Sequence, residues 1–245
     1  MKIKFKKIIQ KLSGNQLFAA SFIMVVGMHL YNLGQFIYHF LSGRMLGKAM
    51  YGDLATMITI LGFFAIVQMA VGLTIVKFIT SIKEVKERRN FIKWIFWLSL
   101  LIGLFIGGVF LISSRIISRF LNITDVNAFL LFGPVLFFYL FAASERSILQ
   151  GLLYFDRYII SFLSESVVKI VLTVIFISLG FAIFGAVGAM LIGTIVSFLV
   201  AYLFLRRFLL GKIGHAPNFS SLLKYSGATL IQGVALTSMY SMDLI

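Results

Sequence analysis

Residues 158–207 read YIISFLSESVVKIVLTVIFISLGFAIFGAVGAMLIGTIVSFLVAYLFLRR, two long apolar runs joined by only a few residues around Phe181. Each run has the roughly 20 residues that an α-helix needs to cross a bilayer. Backbone groups in lipid must be hydrogen-bonded within the segment, so such runs predict helices. They also lack the polar–apolar alternation of membrane barrel strands. The stretch therefore predicts a tight antiparallel hairpin of two membrane-spanning helices.

The same pattern extends along the whole chain of 245 residues, which is 60% hydrophobic and only 12% charged. Its mean hydropathy is +1.03, so we expect an all-α integral membrane protein. The first apolar run is too long for a removable signal peptide and is read as the first span. Seven transmembrane helices are predicted, at 16–41, 53–80, 91–113, 127–153, 158–181, 184–206 and 225–245.

Basic residues accumulate on every second link between these spans. The N-terminal tail and the link after span two are rich in Lys and Arg, whereas the opposite links carry few, such as Arg115 and Arg119. Lys and Arg favour cytoplasmic links, so the N-terminus is predicted to be cytoplasmic. The net charge of +14 is then explained by the inner membrane surface, and we expect no nucleic acid partner.

The domain organisation is predicted from a faint internal repeat. Residues 227–245 align with residues 19–37 at four apolar positions, and both segments follow a basic inner stretch. Tandem six-helix units would have this property, because an even number of spans returns the chain to the same side. We therefore expect a six-helix lobe at 1–207, a basic cytoplasmic linker at 208–224, and the first helix of a truncated second lobe at 225–245.

Polar residues in the first span form one candidate site. Four of them fall within an arc of about 120° on a helical wheel: His29, Asn32, Gln35 and His39. One interpretation is a set of hydrogen bonds between helices, which are common in membrane bundles. The other, which we favour because the remaining faces are almost wholly apolar, is a water-filled substrate cavity.

Charged residues in spans four and five form a second candidate site, comprising Glu145, Arg146, Glu165 and Lys169. Glu165 and Lys169 are four residues apart and are predicted to pair along one helix. Arg146 is predicted to reach Glu165 across the hairpin. The group is either a bracing ion-pair network or a cationic site for an anionic headgroup, with Arg146 and Lys169 as binders and the carboxylates holding them.

Two further ionisable residues are less distinctive. Lys77 lies near the inner end of span two, where it is expected to snorkel to the interface or to assist the headgroup site. Asp243, near the end of span seven, aligns with Gln35 and is either an ion or proton site or an interfacial residue.

Recognisable catalytic motifs are lacking in the sequence. It has no Cys, and it has no HExxH, GxSxG, Walker or dinucleotide-binding pattern. We therefore predict no enzyme activity, no cofactor and no metal site.

Three stretches together resemble a known family. They are the link at 42–55 with its Leu-Gly and Tyr-Gly pairs, the end of span four at 148–158, and the Glu165–Lys169 region followed by 179–189. In this order and spacing the sequence resembles the polysaccharide transporter family, the Wzx-like O-antigen flippases of the multidrug/oligosaccharidyl-lipid/polysaccharide exporter (MOP) superfamily. The likeness covers residues 10–245.

The resemblance implies two six-helix lobes packed as a V in the cytoplasmic membrane. It implies flipping of a polyprenyl-pyrophosphate-linked oligosaccharide by alternating access, for cell-surface polysaccharide biosynthesis. Lipid-linked oligosaccharide and membrane lipids are the expected partners, with polysaccharide polymerase and glycosyltransferases as further ones. Five of the family's helices have no counterpart here, which is why the chain is expected to be a fragment.

Three alternatives stay open. A cation-coupled multidrug or metabolite efflux pump of the same superfamily is disfavoured because span one has no Asp or Glu. A membrane-embedded glycosyltransferase would draw on Asp53 and Asp125 in the short external links. A seven-helix receptor fits the helix count but not a cytoplasmic N-terminus.

Overall fold

The computed structural model describes residues 2–211, 214 and 219–242, with side chains described in 21–211, 214 and 220–235. The regular structure in this part of the chain is entirely helical, which confirms the predicted fold class. The helices are α1 (Lys2–Ser81), α2 (Val85–Phe120), α3 (Val126–Gly151), α4 (Phe155–Ser178), α5 (Ala182–Leu209) and α6 (Phe219–Met242).

Helix α1 contains the first two predicted spans and is broken at Gly47. This residue has φ 72° and ψ 176°, a left-handed conformation that glycine adopts without a Cβ clash. His39 Nδ1 lies 3.1 Å from the Tyr51 hydroxyl oxygen, whereas twelve residues of continuous helix rise about 18 Å. The chain therefore folds back here. The predicted link at 42–52 is helical on either side of Gly47.

Within the residues that the structure describes, five helices are long and apolar enough to cross a membrane: Ser21–Ser81, which is long enough for two crossings, and α2 to α5. This confirms a multi-pass membrane protein and accounts for the first six predicted spans. Helix α6 overlaps the predicted seventh span, but its side chains are described only to residue 235. The seventh crossing therefore stays a prediction.

Small residues allow neighbouring helices to pack closely. A Cβ atom on Gly193 of α5 would lie 3.1 Å from the carbonyl oxygen of Glu165 in α4, and one on Gly107 of α2 would lie 3.0 Å from Phe137 Cβ in α3. Such contacts show how small residues let membrane helices approach closely. They also place α4 and α5 around the charged residues of the candidate site.

Different hydrogen bonds join the helices at the two ends of the bundle. At the predicted outer end, the Asp53 carboxylate accepts hydrogen bonds from the backbone and hydroxyl of Thr124. At the inner end, the Arg89 guanidinium donates to the carbonyl oxygens of the last turn of α5. The basic links after spans two and six thus lie at the same end, as the predicted orientation requires.

Helix α6 contacts α1 alone among the described helices. The Ser226 hydroxyl donates to Thr74 Oγ1 at 3.0 Å, and the Thr229 hydroxyl to the Ala70 carbonyl oxygen at 3.2 Å. Helix α5 ends at Leu209 and helix α6 begins at Phe219, so residues 219–224 of the predicted linker at 208–224 are helical. The division of the chain into two lobes stays a prediction.

Candidate functional site

Arg146 occupies the centre of the bundle. It lies on α3 and is only 2% exposed. Its Nη1 donates to Glu165 Oε2 at 2.7 Å and to Ser197 Oγ at 2.9 Å, joining α3 to α4 and α5. The guanidinium also lies over the Phe162 ring, 4.0 Å from its centroid, a contact that stabilises a desolvated cation. Arg146 is therefore held on three sides.

Lys169 is the second buried cation and joins α4 to α1. Its Nζ donates to Gln35 Oε1 at 2.6 Å and lies 4.3 Å from the Tyr38 ring centroid. The predicted partner was Glu165, one helical turn away. That pair does not form, since no ion pair of Lys169 occurs among the described residues, whereas the other predicted pair, Arg146 with Glu165 across the hairpin, is present. The reason is geometric, because Arg146 approaches Glu165 from the neighbouring helix.

The network lies near the middle of α4, a helix long and apolar enough to cross a membrane. Glu165 is ten residues past the start of α4 at Phe155, a rise of about 15 Å, which is half the thickness of the hydrocarbon core. Among the hydrogen-bonded groups, two cations stand against one carboxylate, since Glu145 makes no hydrogen bond to them. Since charge at this depth is costly unless paired or solvated, the excess cation marks a place where an anion or water belongs.

Two cavities border this network. The outer cavity, about 170 Å³, is lined by Gln35, His39, Glu165 and Lys169 among others. The inner cavity, about 400 Å³, is lined by Arg146 and by several neutral polar side chains. Tyr31 and Tyr139 line both cavities, and we call this pair the tyrosine girdle. The two cavities are therefore neighbours, with the tyrosine girdle between them.

Two hydrogen-bond donors at these cavities have no partner. Arg146 Nε and Gln35 Nε2 are buried and unpaired within the part of the chain that the structure describes. Leaving a buried donor unsatisfied costs about 1–3 kcal/mol. A ligand or water with acceptor oxygens would satisfy both.

The polar face of the first span is only half inside the site. Gln35 and His39 line the outer cavity, whereas His29 and Asn32 are exposed. His29 Nδ1 lies 2.8 Å from the Val25 carbonyl oxygen in its own helix. The polar arc therefore sits at the edge of the buried face of α1 rather than at its centre.

The other predicted residues lie apart from the network. Glu145 is fully buried, and neither carboxylate oxygen has a hydrogen-bond partner among the described residues. Lys77 is exposed, and its Nζ lies 3.5 Å above the Tyr225 ring of α6, so it contacts a helix instead of standing free at the interface. Asp243 lies outside the described residues.

Several residues of the site were missed from sequence. Tyr31 and Tyr38 occupy the centre of the buried face of α1, and Ser161 and Ser197 bond each other between α4 and α5. Aromatic and hydroxyl residues are frequent in any membrane helix, so nothing singled these out. Groups of His, Cys, Asp or Glu able to hold a metal ion do not occur in the described regions.

The fold matches one half of solved transporters of the MOP superfamily. A MOP superfamily transporter from Pyrococcus furiosus is 18% identical with TM-score 0.73, over 91% of this chain and 53% of that one. The Vibrio cholerae MATE transporter VcmN in its bent form is 16% identical with TM-score 0.74, over 94% and 56%. An outward-facing multidrug resistance MATE transporter is 20% identical with TM-score 0.70, over 89% and 53%.

The chain thus spans a little over half the length of these structures. At such low identity the likeness shows the fold of a membrane transporter and nothing finer.

The particular family follows from sequence: the model for polysaccharide biosynthesis proteins matches residues 18–243. The chain belongs to this family, which confirms the resemblance to polysaccharide transporters and the assignment to the cytoplasmic membrane. The comparison with curated proteins gave no match.

Proposed function

We propose that the protein acts as a flippase, moving a polyprenyl-pyrophosphate-linked oligosaccharide across the cytoplasmic membrane by alternating access. The observation that carries the proposal is the pair of unsatisfied donors, Arg146 Nε and Gln35 Nε2, at the two cavities. Both donors lack an oxygen acceptor among the described residues. A diphosphate with attached sugars is rich in such acceptors.

The charge of the network suits a diphosphate. Arg146 and Lys169 carry two positive charges against the single negative charge of Glu165, and Arg146 keeps an unused donor after pairing with Glu165. A guanidinium matches phosphate geometry and does not lose its proton. Glu165 and Ser197 hold the guanidinium in place, so a passing phosphate would meet a fixed donor.

The inner cavity suits sugar hydroxyls. Its wall includes Gln68, Ser147, Gln150, Tyr139 and Tyr158, which are neutral groups that both donate and accept hydrogen bonds. At about 400 Å³ the cavity falls within the usual range of ligand pockets, roughly 300–1,000 Å³. A larger headgroup would require movement of the tyrosine girdle or of a facing lobe, as in rocking transporters.

The proposed cycle needs no covalent step. The polyprenyl tail stays in the lipid while the headgroup crosses between the lobes, which open alternately to either side. Glycosyltransferases that assemble the lipid-linked sugar and a polymerase that uses it are the proposed partners. The same function explains why the chain belongs to a family of polysaccharide biosynthesis proteins.

The test is transport by the full-length protein in proteoliposomes. A fluorescent polyprenyl-pyrophosphate oligosaccharide is placed in both leaflets, and its exposure to an impermeant quencher is followed with and without an imposed proton or sodium gradient. We expect protein-dependent transfer that R146Q abolishes and R115Q does not. Arg115 is a matched control because it is an exposed arginine outside both cavities.

Failure of the labelled lipid to cross under any gradient would contradict the proposal, as would full transfer by R146Q. A cell lacking the gene should accumulate the lipid-linked precursor on the inner leaflet and lose surface polysaccharide.

A second candidate is efflux of cationic drugs or metabolites. It is favoured by one observation, the Glu165 carboxylate at the outer cavity. Because Arg146 already pairs with this carboxylate, the site is less suited to a cation. Ion-dependent drug resistance conferred by the full gene, without loss of polysaccharide on deletion, would support this candidate.

A further inference from the structure

A groove on the surface of the helix bundle is separate from the candidate site. It lies between α2, α3 and α5 toward the inner end and has a volume of about 710 Å³. Aromatic residues make up half of its lining, and Arg206 and Arg207 lie at its inner end. Helix α1, which contributes to both cavities of the candidate site, contributes nothing to this groove.

The walls of the groove are built by aromatic packing. The Phe96 and Tyr202 ring centroids are 6.1 Å apart, and those of Phe198 and Tyr202 are 6.0 Å apart. Trp97 and Tyr202 stay 49% and 37% exposed at the surface. Trp and Tyr favour the headgroup level of a membrane, where one part of the ring is wet and the other is in lipid.

The two arginines are available to a ligand. Both are exposed, and neither guanidinium has a hydrogen-bond or ion-pair partner in the regions that the structure covers. Arg89 already donates to the carbonyl oxygens of Arg207, Phe208 and Leu210. Since these carbonyls are satisfied, the arginine side chains of α5 are not needed to cap their own helix.

The spacing of charge and apolar wall matches a lipid. Phe198 lies eight residues before Arg206 in α5, a distance of about 12 Å along the helix. A phosphate at the arginines would therefore place an acyl chain along the aromatic wall. We propose that this groove binds an anionic phospholipid of the inner leaflet. Basic pockets between membrane helices on the cytoplasmic side are suited to such headgroups.

Other occupants fit less well. A protein helix would have to offer an acidic residue to each arginine, and α6, the next helix along the chain, packs against α1 instead. The tail of a transported lipid would lie beside the cavities that α1 lines, away from this groove. A phosphodiester with its acyl chains meets both the charge and the apolar wall.

Trp97 provides a probe at the groove. The chain has two tryptophans, so W94F in the full-length protein leaves Trp97 as the single one. Quenching of its fluorescence by brominated phosphatidylglycerol is compared with quenching by brominated phosphatidylcholine in mixed vesicles. We expect the anionic lipid to bind at least about fivefold more strongly, which is the gain that a single arginine near the surface would provide.

The variant R206Q/R207Q should bring the ratio of anionic to zwitterionic lipid binding to about one. The variant K83Q/K86Q should leave this ratio unchanged. The control removes two exposed cytoplasmic charges that do not line the groove. In the W94F protein with both arginines present, high salt should lower the preference for the anionic lipid, because exposed charges are screened. This measurement remains informative if the double variant does not fold.

Equal quenching by both lipids would overturn the proposal, as would a preference that survives R206Q/R207Q. Absence of quenching by either lipid would show that protein covers Trp97 and would overturn it as well. The variant W97F, with Trp94 as its single tryptophan, reports on a position outside the groove wall and should show no charge preference.

Discussion

Arg146 and Glu165 lie on successive antiparallel helices, and Arg146 Nη1 approaches Glu165 Oε2 to 2.7 Å while the side chains are only 3% and 6% exposed. A buried ion pair of this kind adds little net stability, because desolvation offsets most of the attraction. Removing one partner is different, since it leaves the other charge buried and uncompensated. The pair can therefore be tested separately for folding and for transport.

The first prediction concerns stability. We expect E165Q to lower the free energy of unfolding by about 3–5 kcal/mol, because Arg146 then remains charged without a counterion. The double variant R146M/E165M should be closer to the parent protein than E165Q is, since it removes both charges and fills similar volume. Thermal unfolding of the purified proteins in the same detergent measures their order of stability. A double variant less stable than E165Q would contradict it.

The second prediction separates charge from packing at Lys169. Q35E would place a carboxylate where Gln35 Oε1 now lies, 2.6 Å from Lys169 Nζ, and would neutralise the excess cation. We expect KM for the lipid-linked oligosaccharide to rise about tenfold, the loss of one charge-assisted hydrogen bond, without loss of thermal stability.

The matched control is N32D, which adds the same charge one helical turn away on the exposed side of α1. It should leave KM within about twofold, a change smaller than one hydrogen bond. If N32D impairs transport as strongly as Q35E, the whole polar face of the first span lines the path, as the sequence predicted.

The helices of the lobe could be predicted because length and hydropathy alone decide them. The turn at Gly47 was placed in a longer link because the sequence at 42–52 is polar, while the structure keeps it helical on either side of one glycine. Polarity marks a link but does not say how much helix it contains.

The candidate site was predicted only in part, and the reason is rotation about the helix axis. Periodicity grouped His29, Asn32, Gln35 and His39 correctly on one arc, but only contacts with other helices decide which edge of the arc is buried. Likewise, the spacing of Glu165 and Lys169 allowed a pair within α4. Arg146 takes the carboxylate because tertiary packing brings it there.

The third prediction uses the absence of cysteine from the chain to follow access to the two cavities. Gly62 lines the outer cavity with open space around its Cβ position, and Leu73 lines the inner cavity and is 46% exposed. In a full-length alternating-access transporter, G62C should react with an impermeant thiol reagent from outside and L73C from inside. Substrate should change the two labelling rates in opposite directions. Parallel changes at both positions would contradict alternating access.

The fourth prediction compares two adjacent glycines of α2. A Cβ atom at Gly107 would lie 3.0 Å from Phe137 Cβ and 3.1 Å from the Gly133 carbonyl oxygen, whereas one at Gly108 would meet nothing within 4 Å. We expect G107V to destabilise the protein by about 1–3 kcal/mol, because α2 and α3 must move apart, and G108V to stay within about 0.5 kcal/mol. Thermal unfolding in one detergent checks both. Since the two variants share helix, depth and side chain, equal losses would show that helix propensity matters here and that the close contact does not.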